Sequence, residues 1–352
     1  MFTALSRSVL LRGLLVSVLF LGLVACQSAD EGNEGEGTQV PASKVVVYTS
    51  RQPHLIEPLF KRYTQETGVE VEFTSANEAT LIERLGAEGQ QTPADVFITV
   101  DAGNLWFAAQ RGLFQSIQSP ILEASMAPSL RDNDNQWFGL SVRARTMVYH
   151  PDRVDPDELS TYEDLADPKW SGRLCLRTSR KVYNQSLVAM LIEHHGEQKA
   201  QSIVEGWVEN LATDPFSSDT QLIKAIEAGQ CDVGIVNTYY LGRLINEDPD
   251  YPVKVFWANQ SGTGVHVNIS GGGVTRYAPR PEAGQQLIEW LASEQAQADF
   301  AVKNLEFPVN PNVPVSGIIA EWGTFEADST SLVIAGQRQA QAVQLMDRAG
   351  YR

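Results

Sequence analysis

Apolar positions along this chain alternate between short continuous runs and helical stripes. Residues 45–48 (Val-Val-Val-Tyr) form an apolar run of strand length, after which Leu55, Ile56, Leu59, Phe60 and Tyr63 recur on one helix face up to Gly68. Residues 69–73 alternate like a half-buried strand, and Leu81, Ile82 and Leu85 mark a second helix. Residues 94–100 read as another strand, followed by a helix over 105–110 that stops at Gly112. Strands separated by helices in this order predict a parallel sheet covered on both faces, with ligands held beyond the carboxyl ends of the strands.

The alternation resumes further along. Residues 138–149 read as a long strand or crossing segment, 162–165 as the start of a short helix, and Leu187, Met190, Leu191 and Ile192 as a helix beginning near Tyr183. Leu222, Ile223 and Ile226 predict a helix that leads into the apolar run 233–236. Residues 265–269 read as a strand, and Gly271-Gly272-Gly273 after it as a tight turn, because no Lys-Ser or Lys-Thr follows to complete a phosphate-binding loop.

The N-terminus adds a destination. Arg7 and Arg12 precede or interrupt an apolar stretch ending in Leu23-Val24-Ala25-Cys26, the pattern of a secretory signal over 1–25 with a lipoprotein processing box whose Cys26 thiol becomes acylated. That stretch falls short of the roughly 20 residues a spanning helix needs, and no other run approaches it. Residues 26–43, rich in Gly, Glu and small polar side chains, read as a solvated linker between the lipid and a remainder long enough for two domains. Without the leader the chain carries 25 basic against 43 acidic residues, a formal charge of −18, which argues against nucleic acid and anionic membrane patches as partners.

Two cysteines remain once Cys26 is acylated. An exported compartment permits oxidation, and Cys175 and Cys231 sit in apolar, strand-like contexts that fit one disulfide, with two buried free thiols as the alternative. Tyr183 follows Cys175 by eight residues and Tyr239 follows Cys231 by eight, so a bridge would bring Tyr183, Tyr239 and Tyr240 towards one end of a shared sheet. Phenolate oxygens are hard donors suited to highly charged cations, and a bound trivalent cation supplies the drive to ionise a phenol with a pKa near 10. Tyrosine pairs also pack cores and interfaces, so the adjacent Tyr239-Tyr240 alone carries both readings.

Several segments together narrow the choice. Val47-Tyr48-Thr49-Ser50-Arg51, Pro93-Ala94-Asp95-Val96-Phe97, Trp137-Phe138-Gly139-Leu140-Ser141-Val142-Arg143-Ala144-Arg145, Tyr183-Asn184-Gln185-Ser186, Asn237-Thr238-Tyr239-Tyr240 and His266-Val267-Asn268-Ile269-Ser270-Gly271 resemble the ferric-iron-binding proteins of bacterial ABC importers. The likeness covers essentially all of the chain after the linker. It implies an α/β, bilobal periplasmic-binding-protein fold of type II, with two lobes joined by crossing strands that close on the ligand. Lobe 1 would comprise 44–136 plus 265–352, and lobe 2 would comprise 137–264.

The resemblance also implies roles. Tyr239 and Tyr240 match the paired iron ligands, and Tyr183 matches the third tyrosine of the relatives that carry Tyr-Asn-Gln-Ser. His54 lies near the place where relatives supply a His or a His-Tyr pair, while Val100 rather than Asp101 occupies the place of a ligating carboxylate. Three-tyrosine relatives recruit carbonate or another small anion, for which Arg143 and Arg145, two apart on an extended segment, offer bidentate donors; both are equally read as ion-pair partners holding the lobes. The implied protein is a monomeric, lipid-anchored receptor of the periplasm or cell envelope that hands Fe3+ to an ABC permease and ATPase complex, and it is not an enzyme. His194 and His195 read as the end of a helix, His150 as part of a turn and His266 as strand packing. Rival readings are a receptor of the same fold for an organic cation or small anion, such as a polyamine or thiamine, and a tethered hydrolase. The hydrolase lacks a Gly-x-Ser-x-Gly elbow and a His-Glu-x-x-His motif.

Overall fold

The apolar runs become strands and the stripes become helices in a computed structural model that describes residues 44–352; the leader, Cys26 and the linker lie outside the described residues. The first part comprises β1 (Lys44–Thr49), α1 (Pro53–Thr67), β2 (Glu70–Ser75), α2 (Glu78–Glu88), β3 (Val96–Val100), α3 (Ala102–Gln110) and α4 (Pro120–Ser125). Next come β4 (Phe138–Tyr149), β5 (Leu174–Cys175), α5 (Val182–His195), α6 (Glu197–Glu209), α7 (Asp219–Glu227), β6 (Val233–Asn237), α8 (Thr238–Glu247) and β7 (Lys254–Phe256). The chain ends through β8 (Val267–Val274), α9 (Pro281–Leu291), α10 (Glu294–Asn304), α11 (Ile318–Glu321), α12 (Val333–Gln337) and α13 (Gln339–Arg348).

Local chemistry sets the ends of these elements. Helix α1 opens on Pro53, whose missing N–H costs nothing there, and closes on Gly68, which takes φ 76° and donates its N–H to the Thr64 carbonyl. Its Ile56, Leu59, Phe60 and Tyr63 share one buried face, each contributing about 1.5–3 kcal/mol relative to exposure.

The strands follow the order β2-β1-β3-β8-β4-β6-β5, with β7 also paired to β4. β1 runs parallel to β2 and β3, and β5 runs parallel to β6. β8 is antiparallel to both β3 and β4, and β4 is antiparallel to β6. The sheet is therefore mixed rather than the all-parallel sheet that the alternation predicts. The reason lies in β4 and β8, which pass between two halves of the molecule and enter each half against its parallel strands. β4 is buried along its whole length and changes partner midway: Phe138 to Ala144 pair with β8, and Arg145 to Tyr149 pair with β6.

Two lobes result, each with its own apolar core. The first is built around β1, β3 and β8 with Phe60, Leu81, Phe97 and Phe300, and the second contains Trp170, Leu187, Ile203, Trp207 and Ile235. The C-terminus departs from the assignment of all of 265–352 to lobe 1. Ala342, Leu345 and Met346 of α13, together with Tyr351, are buried in the second core, because the apolar face of α13 packs on α5 and α6.

The triple glycine is not a turn. Gly271, Gly272 and Gly273 lie inside β8, between β3 and β4, and their neighbours approach too closely for a side chain. A Cβ on Gly271 would stand 2.6 Å from both Leu105 Cδ1 and the Phe138 carbonyl oxygen, and one on Gly273 only 2.2 Å from the Gln136 carbonyl oxygen.

Candidate metal centre

Cysteine spacing and helix starts together build one wall of the site. Cys175 and Cys231 are bridged with Cα atoms 5.9 Å apart, and Cys175 pairs with Gly234 in the parallel β5–β6 ladder. Gly234 is glycine because a Cβ there would meet the Cys175 carbonyl oxygen at 2.8 Å and Leu222 Cδ2 at 2.6 Å. Leaving these strands in the same direction, the chain begins α5 with Tyr183 as its second residue and α8 with Tyr239 and Tyr240 as its second and third. First turns leave backbone N–H groups unpaired and present the positive end of the helix dipole, which favours a negative oxygen.

The phenols converge. Tyr239 Oη lies 3.5 Å from Tyr183 Oη, and the rings of Tyr239 and Tyr240 are 4.3 Å apart. Asn237 Nδ2 donates to Tyr239 Oη at 3.4 Å, and Arg177 Nη1 donates to Tyr240 Oη at the same distance. Burial first, and then the neighbouring Tyr183 and Tyr240, push the Tyr239 phenol well above its ordinary pKa of 10.0, so it is protonated at neutral pH. Among the described residues no group of three or more His, Cys, Asp and Glu side chains could hold a metal.

A cavity of about 190 Å³ joins the three tyrosines to the other lobe. Lys181 and Arg243 line it beside them; Ser50, Arg51, His54 and Glu306 face them from the first lobe. His54 is exposed and is the second residue of α1, so the structure brings it to the tyrosines' cavity. Val100 also lines the cavity, whereas Asp101 is fully buried and caps α3.

The two arginines that share a face of β4 have different surroundings. Arg143 lines the cavity, with its guanidinium 5.2 Å from the centre of the Tyr183 ring. It donates to the Ile269 carbonyl, and its buried Nε has no hydrogen-bond partner among the described residues. Burial works against its charge, but Tyr183, Tyr239, Glu306 and Asp101 outweigh that and raise its pKa. Arg145 does not reach the cavity. It donates to Asn184 Oδ1 (3.1 Å), Asp219 Oδ2 (3.1 Å), Asn237 Oδ1 (3.2 Å) and the Ile235 carbonyl (3.1 Å). This buried ion pair fixes Asn184, next to Tyr183, and Asn237, two before Tyr239, in one frame.

Sequence reasoning missed three cations around the phenols. Lys181 Nζ stands 4.9 Å from the Tyr183 ring centre, Arg243 Cζ 5.1 Å from that of Tyr239, and Arg177 Cζ 5.9 Å from that of Tyr240. Arg243 was detectable, since it follows Tyr239 by four residues on a helix and so shares its face. The remaining histidines stay outside the site: His150 accepts from the Asp152 N–H in the turn after β4, His194 and His195 end α5 beside Asp328 and Glu163, and His266 is buried.

Comparison with known proteins gives this geometry a family. Residues 58–327 match the profile of the family described as bacterial extracellular solute-binding protein. Iron uptake protein A1 of Synechocystis sp. is 43% identical over 88% of this chain and 88% of its own. A Trichodesmium FutA structure in complex with iron and citrate ligands superposes with a TM-score of 0.85 at 42% identity, covering 88% of this chain and 100% of that one. The ferric iron-binding protein A of Mannheimia haemolytica, in an open conformation, gives a TM-score of 0.83 at 36% identity, over 88% of this chain and 99% of that one. The chain belongs to the bacterial extracellular solute-binding proteins, and its fold is their bilobal α/β fold.

Proposed function

We propose that this protein captures ferric iron between its lobes, with Tyr183, Tyr239 and Tyr240 as phenolate ligands, and delivers it to an ABC permease and its ATPase. The observation that carries this reading is the convergence of three phenols at two helix starts, in a cavity that His54 enters from the opposite lobe. Three phenolates balance the charge of Fe3+, and a neutral His54 adds a ligand without disturbing that balance. Relatives named for iron uptake and a neighbour solved with iron and citrate support the choice of metal. Cys26 would tether the receptor to the membrane, with the mature chain acting as a monomer in the periplasm or cell envelope.

The lining argues against an organic cation such as a polyamine or thiamine. Arg51 is neutralised by Glu306, but Arg143, Lys181 and Arg243 leave the cavity positive before any ligand enters. Such a lining opposes any cation until negative charge is supplied: Fe3+ can draw it from ionising phenols and a small anion beside the metal, whereas an ammonium cannot ionise a phenol. Arg143 is the residue best placed to hold carbonate or a carboxylate, with Lys181 and Arg243 adding charge. Arg145, engaged with Asp219, serves the frame instead.

A ferric titration tests the reading. Phenolate ligation gives a visible charge-transfer band that saturates with iron, and absence of the band at saturating iron would rule it out. Because each phenol must lose a proton, apparent affinity should fall as pH falls, by up to about tenfold per pH unit for each proton displaced. Removing carbonate and other small anions from the buffer should weaken binding, and unchanged affinity would remove the anion.

A further inference from the structure

Asp101, immediately after β3, stands at φ 76°, a region that residues other than glycine rarely adopt, and its side chain is fully buried. Two of the three groups that donate to its carboxylate come from distant elements. Oδ1 accepts from the Ser186 hydroxyl at 2.8 Å and from the Gly103 N–H at 2.9 Å, while Oδ2 accepts from Asn268 Nδ2 at 3.0 Å. Ser186 lies on α5 in the second lobe, three residues beyond Tyr183, and Asn268 lies on the crossing strand β8. The Asp101 N–H donates at 2.8 Å to the Ile269 carbonyl, the oxygen that also accepts from Arg143. One carboxylate thus joins the first lobe, a crossing strand and the helix that carries Tyr183.

Capping α3 does not require this. A side-chain oxygen of Ser or Asn caps a helix without placing a charge in the interior. What the carboxylate adds is a strong acceptor for a hydroxyl from the other lobe. The surrounding contact is close: α12 packs on both α3 and α5, a Cβ on Gly336 would stand 2.5 Å from Trp106 Cβ, and Gln339 Nε2 donates to Gln185 Oε1 at 3.1 Å.

We infer that Asp101 is a positioning residue, which through Ser186 docks the Tyr183 helix onto the first lobe and holds the arrangement in which His54 and the tyrosines share one cavity. The inference deepens the iron-binding reading and rests on it for its link to the metal. Its test compares the parent with Asp101→Asn, Ser186→Ala and the double variant by iron release rate, iron-free melting temperature, and small-angle X-ray scattering with and without ferric iron. Asn retains the size of Asp and one acceptor while removing the charge. Each single change should speed iron release by about ten- to a hundredfold, the range expected on losing a buried hydrogen bond to a charged group. The double variant should release iron no faster than the worse single, and iron-free Ser186→Ala should scatter as a more open molecule than the parent. Additive effects, or unchanged release with a lowered melting temperature, would overturn the inference by reducing Asp101 to a helix cap. The failure of the iron reading remains distinguishable. If the parent does not colour with iron, that reading falls, and scattering of the iron-free variants still decides docking: a more open Ser186→Ala supports it and an unchanged one refutes it.

Discussion

The two walls of the cavity are built differently. On the second lobe, the tyrosines stand on helix starts fixed by a disulfide, a parallel strand pair and the buried Arg145–Asp219 ion pair with its asparagine partners. On the first lobe the buried Arg51–Glu306 pair also lines the cavity, but His54, the residue that faces the tyrosines as a donor, is exposed near the start of α1. If the phenols ligate iron as proposed, the difference assigns the walls different work. A preorganised wall can load the cation before closure, and a looser wall can adjust to it afterwards.

The largest expected effect comes from dismantling the rigid wall. Arg145→Met leaves Asp219, which is 0% exposed, with only Arg177 as a cationic partner at 3.6 Å, so the loss should approach but not exceed the about 3–5 kcal/mol that breaking a buried pair costs. Chemical denaturation should show that loss, together with weaker iron binding. An unchanged midpoint would mean that the wall does not depend on this frame. Next in size is the disulfide: replacing Cys175 and Cys231, separated by 56 residues in sequence, should destabilise by about 2–4 kcal/mol in thermal unfolding.

A pH effect at the crossing point sharpens the contrast between the lobes. His266 immediately precedes β8, and burial lowers its pKa from 6.5 to about 4. Between those values the unfolded chain binds a proton that the folded one does not. This contribution is therefore flat above pH 6.5, and stability falls as pH drops towards 4, by up to about 1.4 kcal/mol per unit. Denaturation midpoints measured from pH 7 to pH 4 should flatten in His266→Gln. The smallest effect belongs to the looser wall. His54→Ala, which removes a neutral ligand and no charge from the site, should reduce iron affinity less than the removal of any one tyrosine and leave the fold unaltered. A loss as large as that of a tyrosine would erase the asymmetry.

Much of this was legible in the chain, for identifiable reasons. The stripe of Ile56, Leu59, Phe60 and Tyr63 buries as its spacing requires, and the equal eight-residue offsets after Cys175 and Cys231 are realised as two parallel strands that each lead into a helix start. What escaped depends on contacts between distant segments. Gly271 to Gly273 look like a turn in isolation, because only the flanking Leu105, Phe114 and Phe138 show why side chains are excluded from β8. Arg143 and Arg145 share a strand face, yet β4 changes partner between them, from β8 at Ala144 to β6 at Arg145. Lys181 and Arg177 carried no periodic signal, since the stretch before α5 is irregular.

The most direct measurement is the visible spectrum of the purified chain titrated with ferric iron, repeated for Tyr183→Phe, Tyr239→Phe and Tyr240→Phe. The account predicts a charge-transfer band in the parent that weakens or shifts with each removal, with affinity losses beyond the roughly 10–100-fold that outer partners of a metal site cost. A parent that stays colourless at saturating iron, or variants that all keep the parent's band and affinity, would contradict it.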